Sequence, residues 1–146
     1  MRLIPPFLVL IIVIAMTVLA LMWPATLFME FPYNMIGMLP MILGVVMLIT
    51  TQRLFRRRQA EIDTFKTPKA LVTDQWFRIS RNPIYLAMLL FITGFFVMLA
   101  QLALIIFPII FFLVANFWYI RVEERNMGQE FGDDYRSYCK RVRRWL

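Results

Sequence analysis

Long blocks without a charged side chain decide what this chain can become. Leu3 to Trp23 carries no charge at all, and about 20 consecutive apolar residues suffice for a helix to cross ~30 Å of hydrocarbon. Backbone in lipid must satisfy its own hydrogen bonds, so each span is expected to be helical. A second block runs from about Tyr33 to Thr51, and Ile84 to Ile120 is almost continuously apolar. As one helix that last block would be about 55 Å long, too long for one crossing. It divides near Gln101. The sequence therefore predicts an all-α integral membrane protein with four transmembrane helices, at about 3–23, 33–51, 84–100 and 102–120, with a loop at 52–82 and a tail at 121–146. Hydrophobic residues make up 61% of the chain, against about 45–50% in soluble domains. The 146 residues form one membrane domain, 1–146, with no length left for a second soluble unit.

Local signals refine the spans. The first apolar stretch is long for a signal peptide and lacks a good cleavage pattern, so it reads as a retained helix. Pro5 and Pro6 fit its first turn. The chain turns between Pro24 and Pro32, with Trp23 and Tyr33 as an interfacial aromatic pair, and Trp118 and Tyr119 mark the end of the fourth span. Pro40 is expected to kink the second span, while Gly37 and Gly44 permit close helix approach. Thr93 and Gly94 are interior candidates, and Asn116 is the main polar residue within the spans.

Charge sets the orientation. Of 16 Lys and Arg residues, all but Arg2 lie in 52–82 or 121–146, and neither the 24–32 turn nor the Gln101 turn has any. The positive-inside rule places both termini, the loop and the tail in the cytoplasm. The net charge of +7 then matches the anionic inner leaflet, and no nucleic-acid partner is expected. The chain has no histidine and one cysteine, Cys139. This removes imidazole acid–base chemistry, intrachain disulfides and His- or Cys-rich metal sites, so no metal is expected.

Function should reside at the cytoplasmic mouth, where the polar residues gather. Arg56, Arg57 and Arg58 read as a topology anchor on lipid phosphates or as a trap for an acidic substrate. Asn82 followed by Pro83 reads as the cap and first residue of the third span; with Arg81 beside them, the same helix start also suits an anion. The adjacent Glu123 and Glu124, at the end of the fourth span, either pair with arginines or hold a cationic or hydroxyl-bearing ligand. Phe131, Tyr135, Tyr138, Val142 and Trp145 recur at spacings of four and three, which predicts an amphipathic C-terminal helix lying in the interface. Gly128 and Gly132 are expected to break it from the fourth span.

Together these residues resemble two signatures of the isoprenylcysteine carboxyl methyltransferase and phospholipid methyltransferase superfamily, in its small bacterial type. The first is Leu71-Val72-Thr73, Phe77-Arg78, Ser80-Arg81-Asn82-Pro83 and Tyr85; the second is Glu123-Glu124, Phe131-Gly132, Tyr135, Tyr138 and Arg144-Trp145. The resemblance spans roughly residues 68–146. It implies an S-adenosylmethionine-dependent methyltransferase in the bacterial inner membrane, acting at the cytoplasmic face on a hydrophobic or amphipathic acceptor such as a membrane lipid. It further implies cofactor contacts from Val72, Thr73, Arg81, Asn82, Pro83, Tyr85, Glu123, Glu124, Tyr135 and Tyr138, with Arg78, Arg144 or Glu124 orienting the acceptor. The chain departs from the pattern at Gln75 and Trp76, where many members have glycine followed by proline or valine. Two alternatives stay open: a non-catalytic scaffold or lipid-binding relative, and an NADPH-dependent reductase of the sterol-reductase branch.

Overall fold

The computed structural model describes residues 4–23, 25–58 and 70–146. Leu3, Pro24 and the middle of the expected 52–82 loop lie outside those residues, as does Arg2. The described chain is all-helical. Helix α1 is Pro5–Met22, with prolines in its first two positions, where a missing N–H forfeits no helical bond. A 3₁₀ turn, Tyr33–Gly37, leads into α2, Met38–Arg58. Helix α3 is Pro83–Leu99. A 3₁₀ turn at Leu102–Ile105, α4 at Ile106–Val114, a π-helical turn at Ala115–Tyr119 and α5 at Ile120–Arg141 follow without interruption. Three stretches are long and apolar enough to cross a membrane: Pro5–Met22, Tyr33–Arg58 and Leu102–Arg141. The 17-residue Pro83–Leu99 is apolar but shorter.

Packing follows from small residues and apolar stripes. The Tyr33–Gly37 turn and α2 both meet α3 backbone to backbone: a Cβ at Gly37 would lie 2.4 Å from the Gly94 carbonyl oxygen, and one at Gly44 would lie 2.5 Å from that of Ala87. Helix α1 packs on α3 and α4 through Ile12 and Met16, which join Met88, Ile92, Phe96, Phe111 and Ala115 in one buried cluster. The opposite face of α1 leaves Phe7, Leu10, Ile11 and Ile14 more than half exposed, as lipid contact requires and water would penalise.

The turn expected at Gln101 is present and contains no glycine. Ala100 takes the left-handed conformation, with φ 54°. Its carbonyl accepts the Phe28 N–H at 2.9 Å, and Gln101 donates from Nε2 to the Ala20 carbonyl at 3.2 Å. Asn34 donates to the Met98 carbonyl at 2.8 Å. The first and second turns on this side thus bind each other's backbone.

Pro40 falls in the first turn of α2, just after the change from 3₁₀ to α geometry at Gly37–Met38. Three expectations need correction. Arg56, Arg57 and Arg58 belong to the last turn of α2 rather than to a loop, where cations meet the negative end of the helix dipole. Gly128 does not separate tail from span, since the helix runs from Leu102 through it. The backbone leaves helical geometry only at Gly132, with φ 49° and ψ −117°. Finally, the aromatic stripe is not one helical face, because the helix stops at Arg141 and Val142 is extended.

Candidate functional site

The site is assembled at the end of the bundle where α2 finishes, α3 starts and α5 emerges. The segment before α3 folds first as a 3₁₀ turn, Gln75–Arg78. Gln75 enters it with φ 53°, a left-handed conformation natural to glycine and costly for other residues. Trp76 donates from Nε1 to the Thr50 hydroxyl at 2.8 Å, tying the turn to α2. Phe77 is buried against Phe55, their rings stacked 5.5 Å apart. Arg58 pairs with Asp74.

Tyr135 and Tyr138 of α5 close over this turn. They bury themselves with Leu54, Val72 and Phe77, and the Tyr138 hydroxyl donates to the Phe77 carbonyl at 2.7 Å. On this face of α5 the tyrosines cover protein side chains. Burial pushes both phenols well above their ordinary range. The Glu124 carboxylate and Cys139 push Tyr135 further, and Arg81 opposes them.

The start of α3 is held by residues 143–145. Asn82 stands at the N-cap position but its side chain does not cap the helix. Its Nδ2 donates to the Arg144 carbonyl at 3.0 Å, its N–H is taken by the Ser80 hydroxyl at 3.1 Å, and its carbonyl accepts the Leu86 N–H at 3.1 Å. The Ser80 hydroxyl donates to the Arg144 carbonyl, and the Arg81 N–H to the Arg143 carbonyl at 3.0 Å. Trp145 then returns to the membrane helix, donating from Nε1 to Asn116 at 3.1 Å and packing on Phe112.

At the centre stands Glu124. Arg81 reaches it from one side at 3.2 Å and Arg144 from the other with two nitrogens. Arg144 also donates to Asn116, and Arg81 contacts the Cys139 sulfur. Burial alone would lower the Arg81 pKa; Glu124, with Cys139 and Tyr135, outweighs it and holds the guanidinium more firmly charged than usual. Glu123 faces the other way, accepting from the Tyr85 hydroxyl at 2.6 Å, while Tyr85 stacks on Tyr119.

Most of the expected site residues thus converge: Arg81, Asn82, Pro83, Tyr85, Glu123, Glu124, Tyr135, Tyr138 and Arg144. Val72 lies buried beneath them and Thr73 is half-buried beside it. Arg78 is not brought in; it is exposed and makes no ion pair among the described residues. Asn116 was visible as a lone amide in an apolar run, but its two partners, Arg144 and Trp145, were not. Ser80 stood in the first signature and Cys139 as the single cysteine, but neither showed its partner.

Beside this polar centre opens a cavity of about 550 Å³. Its walls are α1, α2 and α3, chiefly Val9, Val45, Leu48, Met88 and Phe91, and its polar end holds Gln52, Tyr85 and Glu123. An apolar pocket with a few convergent polar groups is the usual form of a small-molecule site.

An uncharacterised protein of Haemophilus influenzae is 40% identical over 62 residues, which cover 42% of this chain and 98% of that relative. No solved structure matches the chain. The family model for phospholipid methyltransferases matches residues 33–134, from the start of the second apolar stretch to beyond the paired glutamates, and the chain accordingly belongs to the phospholipid methyltransferase family.

Proposed function

We propose that this protein transfers a methyl group from S-adenosylmethionine to a hydrophobic or amphipathic acceptor at the cytoplasmic face of the bacterial inner membrane. In this reading the single domain crosses the membrane four times, α3 included, with both termini inside. The observation that carries it is the contact between the two halves of the site. An arginine–glutamate centre lies on one side of the Tyr85–Glu123 pair and an apolar cavity on the other.

The residues fit the cofactor's polar end. Arg81 Nε is buried with no acceptor among the described residues, which is costly unless something occupies it. A carboxylate would satisfy it, with the α3 N-terminus adding its dipole. Glu124, or Glu123, would hold an ammonium or ribose hydroxyls. Tyr135 and Tyr138 would face a sulfonium, a cation that aromatic rings attract. Val72 and Thr73 would lie along the adenosine. When bound, the cofactor supplies an electrophilic methyl group. The chain's own task is then to align the acceptor and exclude water. Glu123 and the Tyr85 hydroxyl sit where the acceptor's head would arrive, and they could orient it and receive its proton. Arg144 would keep Glu124 in place.

The test is calorimetric titration of detergent-purified protein with S-adenosylmethionine and S-adenosylhomocysteine, with NADPH as control, beside Arg81→Ala and Glu123→Ala. Saturable binding of the first two, weakened in both variants, is expected. Absence of binding by folded wild-type protein, or saturation by NADPH instead, overturns the proposal.

A further inference from the structure

The cavity that ends at Tyr85 and Glu123 is continued by a second one. That second cavity has about 310 Å³, and Met38, Met41, Ile42, Val46 and Met98 line it without a polar wall. Two side chains belong to both linings, Val45 of α2 and Phe91 of α3. They are the walls that the two spaces share, Val45 exposed and Phe91 half-buried. One space opens toward the end of α2 at Gln52, and the other toward its beginning at Met38. The fourteen residue steps from Met38 to Gln52 rise about 21 Å along the helix. Half of a ~30 Å hydrocarbon core is about 15 Å, so a chain filling both spaces passes the bilayer midplane.

We infer that this furrow is a binding site for one long acyl chain of an amphipathic lipid, with Val45 and Phe91 as a gate that selects chain length. The inference rests on the methyl-transfer reading only for the lipid's role as acceptor. The occupant's chemistry follows from the lining. Polar groups gather at one end alone, so the ligand has one head and one apolar tail. Beyond these shared walls nothing polar remains, so no second head is accommodated. The far space is rich in methionine, whose unbranched, adaptable side chain suits a flexible chain of methylenes. A short chain would stop at Phe91; a longer one must push past it. The backbone contact of Gly44 with Ala87 fixes the helices beside the gate, so side chains rather than helix separation set its width.

Photoactivatable lysophosphatidylethanolamines test this, with a diazirine near the head or at the chain end, on wild-type protein and on Phe91→Trp and Phe91→Ala in detergent. Crosslinked residues are read by mass spectrometry without cofactor. Expected are head-proximal labels at Leu48 or Met88 and chain-end labels at Met41 or Met98. Overpacking the gate in Phe91→Trp should lower the far labels about tenfold relative to the near ones, while Phe91→Ala should retain or raise them. Chain-end labels scattered over α1, absent from the far space, or unchanged in Phe91→Trp overturn the inference. Entry of a prenyl-chain probe in place of the acyl one overturns the acyl assignment. Transfer of labelled methyl groups from S-adenosylmethionine is followed separately, so a failed methyl-transfer reading leaves the crosslink map standing, and a failed map leaves methyl transfer standing.

Discussion

Glu124→Gln should release residues 143–145 from the mouth without unfolding the bundle. The wild-type carboxylate accepts from both Arg81 and Arg144, and the three side chains are 17%, 15% and 35% exposed. Exposed ion pairs contribute about 0–1 kcal/mol, whereas breaking a fully buried one costs about 3–5 kcal/mol. Glutamine keeps the shape and one acceptor, and Arg144 retains access to water, so an intermediate cost of about 2 kcal/mol is expected. At 1.4 kcal/mol per factor of ten, this raises the open population about 30-fold. Trypsin reads that population when opening is fast relative to cleavage, and the bond after Arg143 becomes accessible only once the hydrogen bonds to its flanking carbonyls from the Ser80 and Asn82 side chains and the Arg81 N–H part. Cleavage after Arg143 should therefore accelerate about 30-fold in Glu124→Gln. Arg144→Gln should show a smaller effect, and the double variant less than the sum, because both substitutions remove one shared interaction. A cleavage rate within about twofold of wild type, or strict additivity, would refute the claim that Glu124 holds this segment.

Two further outcomes follow. Gln75→Gly relieves a left-handed residue that is exposed and so loses little contact; a gain of about 1 kcal/mol is expected, read as a higher denaturation midpoint, and a lower midpoint would show that the Gln75 side chain contributes more than its strain costs. The raised pKa values of Tyr135 and Tyr138 mean that the folded state keeps protons that the unfolded state releases. Their stabilisation is thus complete below the ordinary value of 10.0 and is lost as pH climbs above it. Thermal denaturation followed into the alkaline range should fall steeply in wild type and more gently in Tyr135→Phe with Tyr138→Phe; equal slopes would remove these phenols as the cause.

Much of the architecture was legible because it depends on local patterns. Uncharged blocks mark helices wherever lipid forbids unsatisfied backbone, and Pro5, Pro6 and Pro83 mark helix starts by stereochemistry alone. Gln101 was found as the only strongly polar residue between two apolar runs. The candidate site was legible as a set of residues but not as a set of bonds. Nothing near Arg81 in sequence says that it meets Glu124 while Arg78 stays outside; that depends on how α5 crosses the start of α3. The return of Arg144 and Trp145 to Asn116 is equally non-local. The left-handed Gln75 was hidden, because a residue that disfavours a conformation cannot announce it. The continuity of the helix through Gly128 was misjudged because one glycine costs a helix only about 1 kcal/mol, which burial of Tyr135 and Tyr138 readily outweighs.

The π-helical turn at Ala115–Tyr119 has a consequence of its own. A π turn is one residue more than an α-helical turn holds, and each residue advances a helix by about 100°. The turn therefore acts as a phase adjuster between two cylinders on one axis. Phe111 and Ala115, before or at it, are buried in the bundle, while Glu123, Glu124 and Tyr135, beyond it, point into the mouth. The surplus position in this turn is already filled, so one further residue inserted after Phe111 in regular α geometry would rotate everything downstream by about 100°. The membrane part would still pack, and both glutamates would face away from Tyr85 and Arg81. A protein so altered would insert and fold as a bundle yet have no mouth, so the count of residues between Phe111 and Glu123 matters as much as their identity.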